Sequence, residues 1–148
     1  MLTTILIGAL IGIATVLLHH RGLSLIGRYI ATREVRGHGL ILIAIFGVFG
    51  LHLIEIGCYA AAYYLATELL DLGRLVGDVA GTDLEILFFA AETYTSLGFG
   101  DIIPQGPLRL LASFEPLNGL ILLGWSASFI YVEMQKLDAV DRRRGRRP

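Results

Sequence analysis

The sequence predicts an all-α membrane protein of three spanning helices, with a shorter re-entrant helix between the second and the third. Three observations lead there. The chain has 148 residues, 55% hydrophobic and only 17% charged, against about 25% charged in a soluble domain. Its apolar residues are gathered into three long blocks rather than spread at core periodicity. Between the second and third blocks lies an apolar stretch too short to cross a membrane, followed by chain with glycine at alternate positions. This composition argues against a water-soluble enzyme, and the length allows one domain. The single cysteine, Cys58, excludes an intrachain disulfide or a cysteine metal cage and reads as a small buried apolar residue.

The first block, residues 2–18, lacks ionisable groups and predicts an N-terminal helix over 1–18. No basic residue precedes it and no small-residue cleavage site precedes His19, so it reads as a retained helix rather than a signal peptide. Gly8 and Gly12 form a GxxxG step that permits close packing, or are simply two helix glycines in lipid. A basic linker is expected over 19–39, with Arg21, Arg28, Arg33 and Arg36; His19 and His20 are placed at the membrane edge. The second helix is expected over 40–69, where His52 and Glu55 interrupt an otherwise apolar run. The third is expected over 108–132, and 117–132 carries no charge. A basic tail follows over 133–148, with Lys136, Arg142, Arg143, Arg144, Arg146 and Arg147; residues 142–148 are expected to be disordered and drawn to anionic lipid.

The net charge of −1 hides a split, since ten of the twelve basic residues flank the apolar blocks in 19–39 and in the tail. Basic segments stay in the cytoplasm. The expected topology is therefore a multi-pass protein of the plasma (inner) membrane, N-terminus outside and C-terminus cytoplasmic. Residues 71–109 then face outward with six acids against two bases. No helix carries basic residues at every third position, which argues against a voltage sensor. No soluble ligand-binding domain is expected after the third block, and no nucleic-acid partner.

Residues 71–109 do not read as a plain loop. Thr82 with Glu85 makes a capping box, Asp83 adds negative charge to the first turn, and Leu84, Ile86, Leu87, Phe88, Phe89, Ala90 and Ala91 follow. The pattern predicts a helix over 83–95 that dips into the membrane and cannot cross it. The chain must return through Thr95, Ser96, Leu97, Gly98, Phe99, Gly100 and Asp101. Irregular backbone survives at membrane depth only where it lines a water-filled path or is buried in protein. Glycines at alternate positions permit left-handed residues, and alternating handedness turns successive carbonyls to one side. A column of such carbonyls, repeated about an axis, can replace the water around a cation. Ser96 adds a hydroxyl at the inner end, and the helix C-terminus favours positive charge. The plain alternative is a turn in an extracellular loop.

The run Thr93-Tyr94-Thr95-Ser96-Leu97-Gly98-Phe99-Gly100-Asp101 resembles the pore-helix end and selectivity filter of the tetrameric potassium channels, in a prokaryotic two-transmembrane-type pore with an additional N-terminal helix. The resemblance covers 40–132: outer helix, pore helix, filter (96–100) and inner helix. It implies a homotetramer conducting K⁺ passively, with K⁺ held at Ser96, Leu97, Gly98 and Phe99 and Gly100 completing the filter. It implies no cofactor beyond the permeant ion, and no enzymatic activity. Four copies would place a formal charge of −16 at the outer mouth, counting acids against bases over 71–109. Ser96 stands where threonine is usual, Leu97 where valine or isoleucine is usual, and Phe99 where tyrosine is usual; Phe88 and Phe89 stand where relatives often carry tryptophan. These departures leave a weakly selective monovalent cation pore as the alternative. In some relatives the pair matching Glu92 and Asp101 hydrogen-bonds behind the filter and shares a proton; with Thr95 they are the expected filter supports.

Other polar residues fall inside the spans. His52 and Glu55 share a helical face, and Glu115 lies at similar depth on the third helix. The three are expected to form an interhelical polar cluster, either structural or proton-sensing. The H-x-x-E spacing alone is a poor metal signal without a third convergent ligand. Asn118 faces either a central cavity or a neighbouring helix; Gly119 or Gly124 is the expected hinge; Trp125 reads as packing. Two readings from other classes remain: a membrane-embedded metal site or enzyme on His19, His20, His52 and Glu55, and a non-conducting regulatory subunit.

Overall fold

The computed structural model describes residues 1–32, 38–77 and 83–144. Its elements are α1 (Leu2–Ala31), α2 (His38–Tyr64, ending in a π-helical turn over Leu65–Leu69), β1 (Arg74–Gly77), α3 (Asp83–Tyr94), β2 (Ile102–Gln105) and α4 (Leu108–Arg144). Three helices are long and apolar enough to cross a membrane, over Leu2–Ala31, Gly39–Leu69 and Leu108–Leu137. This is an integral membrane protein of helical class with an extra N-terminal helix.

The helices are inside-out by soluble standards. The buried stripe of α1 is Thr4, Gly8, Thr15, His19, Leu23 and Ile30, while Leu2, Leu6, Leu10, Ile13 and Leu17 are exposed. In lipid an exposed leucine costs nothing, so small and polar residues take the helix contacts. α1 runs antiparallel to α2, with Gly22 against Leu51 and Gly47 against Ile26, and parallel to α4, with Gly8 against Phe114 and Gly27 against Phe129. Of the GxxxG pair only Gly8 meets a neighbour; a methyl on Gly12 would touch nothing within 4 Å.

α3 wedges between α2 and α4. Phe89, Ala90 and Tyr94 enter a buried core with Tyr59, Tyr63, Ala66, Leu108 and Leu111. At 12 residues its length is about 18 Å, short of a ~30 Å hydrocarbon core. Thr82 of the expected capping box lies outside the described residues.

Four expectations change. The linker expected from residue 19 is helical as far as Ala31, because nothing in 19–31 breaks a helix and Arg28 complements the helix C-terminus; Arg33 and Arg36 lie outside the described residues. The third helix does not end at residue 132, and residues 142–144 of the segment expected to be disordered are helical, while 145–148 lie outside the described residues. α4 continues to Arg144, since extending a formed helix is cheap compared with starting one and Lys136 pairs with Glu133 at 2.6 Å. Cys58 is partly rather than fully buried. Two short strands join the helices: β1 pairs antiparallel with β2, from Arg74 opposite Gln105 to Gly77 opposite Ile102. They clamp the chain leaving α2 to the chain leaving the 96–100 segment. The clamp is tight, because a Cβ on Gly77 would strike the carbonyl oxygen of Asp101.

Candidate functional site

The segment after α3 is organised by its main chain. Ser96, Gly98 and Gly100 have φ of 60°, 53° and 82°, whereas Leu97 and Phe99 do not have positive φ. Left-handed residues thus alternate with others along the strand, and Ser96 is a non-glycine member of the alternation. Glu92 gathers the amides: Leu97 N–H donates to the Glu92 carbonyl at 2.9 Å, Gly98 N–H to the same oxygen at 3.4 Å, and Phe99 N–H to Glu92 Oε2 at 3.2 Å. Ser96 N–H donates to the Thr93 carbonyl at 3.1 Å, and the Thr95 hydroxyl donates back to the Ala91 carbonyl at 2.8 Å. Glu92 therefore bonds the strand directly. Among the described residues its carboxylate meets Phe99 N–H and not Asp101, so the expected carboxylate pair does not form within the chain; Asp101 is exposed. Leu97 is 61% and Phe99 72% exposed, so a single chain leaves the apolar side chains of this strand uncovered.

Behind the base of α3 lies a buried polar hub drawn from four helices. His19 Nδ1 is 2.8 Å from Glu55 Oε1, and His52 Nδ1 is 3.0 Å from Glu55 Oε2. The Tyr94 hydroxyl, at the last residue of α3, donates to Glu55 Oε2 at 2.6 Å and lies 2.9 Å from His52 Nδ1. Ser126 Oγ sits 2.9 Å from His52 Nε2 and 3.3 Å from His19 Nε2. Glu55 and His19 are fully buried. The indole of Trp125 stacks near both His19 and the exposed His20, with ring centroids 5.5 and 5.8 Å away.

His52 and Glu55 therefore do meet, but their third partner is His19 rather than Glu115. Glu115 does not lie at the level of Glu55 as expected: it is buried against Tyr63, eight residues further along α2, and accepts a hydrogen bond from the Tyr63 hydroxyl. Of the adjacent pair expected at the membrane edge, His19 is buried within the protein and His20 is exposed. Asn118 donates to Thr15 Oγ1 of α1 at 2.8 Å, so within the chain it serves helix packing. Gly119 is a contact: a Cβ there would collide with the carbonyl oxygen of Tyr94. Gly124, by contrast, has nothing within 4 Å. The sequence joined His19 to His52 and Glu55 only in the metal-site alternative and not in the polar cluster, and Tyr94, Ser126 and Tyr63 were not expected as its members. The available signal was His19 itself, an imidazole directly after 17 uncharged residues, since polar groups in membrane helices face protein rather than lipid.

His19, His52 and Glu55 are also the one group among the described residues that converges as metal ligands do, with ligand atoms within 4.8 Å. The missing third ligand of the H-x-x-E pair is thus supplied by α1. The spacing nevertheless suits protons. The imidazole nitrogens stand 2.8 and 3.0 Å from the carboxylate oxygens, whereas two ligands of one tetrahedral zinc stand roughly 3.3 Å apart.

Comparison with known proteins agrees with this geometry. Residues 40–136 match the model of a family described as ion channel. Over 88 residues, 59% of its length, the chain is 31% identical to the inward rectifier potassium channel Kirbac3.1 of Paramagnetospirillum magnetotacticum. It spans 28% of that protein's length. The match contains α3, the alternating strand and both flanking helices, so the chain belongs to the ion-channel family: a channel rather than an enzyme, with one further long apolar helix before the matched region.

Proposed function

We propose that the protein is a potassium-selective channel in which four copies surround one pore, with residues 96–100 as its filter. The observation that carries this reading is the alternation of handedness from Ser96 to Gly100 together with the gathering of the Leu97, Gly98 and Phe99 amides onto Glu92. With the N–H groups turned to α3, alternation directs the carbonyl oxygens away from it, as a stack of acceptors without donors among them. Four such stacks about an axis would form cages of oxygen that replace the hydration shell of K⁺. The C-terminal end of α3 points toward the same place and adds its partial negative charge. One strand cannot encircle an ion, and a closed ring requires rotational symmetry. Exposed Leu97 and Phe99 are then side chains awaiting neighbouring subunits.

On this reading K⁺ is cargo, no cofactor is needed, and conduction is passive. The N-terminus lies outside and the C-terminus in the cytoplasm of the plasma membrane, where the arginines of the tail meet anionic lipid. The test is K⁺ flux through purified protein in liposomes, compared with Na⁺ and with Ba²⁺ as blocker. Selective, barium-sensitive flux is expected. Equal K⁺ and Na⁺ permeation would instead establish the weakly selective pore that Ser96, Leu97 and Phe99 leave open. No flux from fourfold particles would point to a regulatory subunit.

A further inference from the structure

With Glu55 ionised and both imidazoles neutral, the hub holds more contacts than its side chains have protons to fill. Six contacts join its five residues. Two neutral imidazoles bring one N–H each, Tyr94 and Ser126 one O–H each, and an ionised Glu55 none: four protons. The His52 Nδ1 proton can serve Glu55 and Tyr94 together, so five protons fill all six contacts. With four, Ser126 can donate to one imidazole Nε2 and its contact with the other has no hydrogen. The hub would also carry a net charge of −1 inside the membrane, where an uncompensated charge is costly. A fifth proton closes the last contact and brings the charge to zero, whether it sits on an imidazole or between His19 and Glu55.

We infer that His19 is a positioning residue for the filter, and that the N-terminal helix is thereby a working part of the pore. This inference rests on the pore reading above. His19 binds Glu55, Glu55 binds the Tyr94 hydroxyl, and Tyr94 is the last residue of the helix that carries the 96–100 strand. The Tyr94 carbonyl in turn abuts Gly119 of α4. With its fifth proton in place, the hub holds the base of α3 at a set depth and tilt. When that proton leaves, one tie opens and the net charge draws water or a counterion toward the helix base, so the strand loses its support. The groups facing the hub are His19 from α1, His52 and Glu55 from α2, Tyr94 from α3, and Ser126 with the Trp125 ring from α4. Cys58, Tyr59 and Glu115 are the other titratable groups within electrostatic reach.

The test is the K⁺/Na⁺ permeability ratio of reconstituted protein between about pH 5 and 9, the range over which histidines titrate. In the wild type the ratio is expected to fall about tenfold toward alkaline pH. His19→Gln keeps a donor toward Glu55 and removes the second imidazole contact of Ser126, so four protons fill every remaining contact and its ratio should lose most of its pH dependence. His19→Leu should be poorly selective at every pH. His20→Gln, one residue on and outside the hub, should keep the wild-type profile. A His19→Gln channel with the wild-type profile would overturn the inference, because a purely structural role predicts that result. If neither His19 variant assembles, the wild type decides: selectivity that is flat with pH overturns the proposal and a steep alkaline loss supports it. A wild type without selective flux at any pH would instead overturn the pore reading itself.

Discussion

The strand beyond α3 and the hub beside α3's last residue are neighbours, yet they are built from opposite materials. The strand is contiguous, made of main chain, and bonded to residues at most seven positions away. The hub is made of side chains separated by as many as 107 positions, from four helices, among them α1 and α4 running parallel and α2 antiparallel to both. On the proposed function the strand presents acceptors to an ion outside the chain, whereas the hub's partners all lie within it. Local main-chain order therefore sets what the site offers, and long-range side-chain order sets where it is held.

The comparison breaks most sharply at Gly98. Its φ of 53° costs an L-residue about 1–2 kcal/mol, repeated in every copy, and a wrong handedness there rotates a carbonyl out of the stack. Gly98→Ala should abolish flux in liposomes while lowering the purified protein's melting temperature by several degrees without unfolding it; selective flux would remove the strand from the mechanism. The complementary change is Glu55→Leu, which strips acceptors from two imidazoles and a tyrosine hydroxyl. Removing one partner of a buried ionic network costs about 3–5 kcal/mol, so this variant should unfold at clearly lower temperature or denaturant. A melting point equal to the wild type's would show that the hub bears little stability.

Gly119 and Gly124 sharpen the contrast further. Gly119→Ala drives a methyl into the Tyr94 carbonyl, an overpacking worth roughly 1–3 kcal/mol, and should lower selectivity by displacing the base of α3. Gly124→Ala meets nothing within 4 Å of the same chain and should change stability by less than about 0.5 kcal/mol; a large effect on flux would mark it as the bending point of α4 or as a contact between subunits. The smallest effect expected is at Gly12, where Gly12→Ala should leave stability unchanged or raise it slightly through helix propensity, measured by thermal unfolding.

Legibility in the sequence followed the same division. The re-entrant helix was visible because a block of seven apolar residues after Thr82 is too short to span, and the alternation was visible because Gly98 and Gly100 stand two apart. Ser96 in the left-handed region extended a pattern that glycines alone announced. The strand pair was hidden, since Arg74–Gly77 and Ile102–Gln105 are four residues each and acquire strand geometry only by pairing. Glu115 was expected at the level of Glu55, yet it pairs with Tyr63, eight residues or about 12 Å further along α2: counting along each helix does not fix how the two are offset, and the partner also depends on how each is rotated.

By itself, then, the sequence determined three segments long and apolar enough to cross a membrane, a fourth too short to do so, and a following strand that can alternate its handedness. Each follows from the cost of exposing polar backbone to lipid and from conformations local to a few residues. The tertiary structure alone decided that His19 joins Glu55 and Tyr94, that Asn118 turns to Thr15, and that Gly119 receives the end of α3. The physical reason is rotation about the helix axis. In water an apolar stripe reveals which face of a helix is buried; in lipid leucine is at home on every face, and only packing selects the one that meets its neighbours.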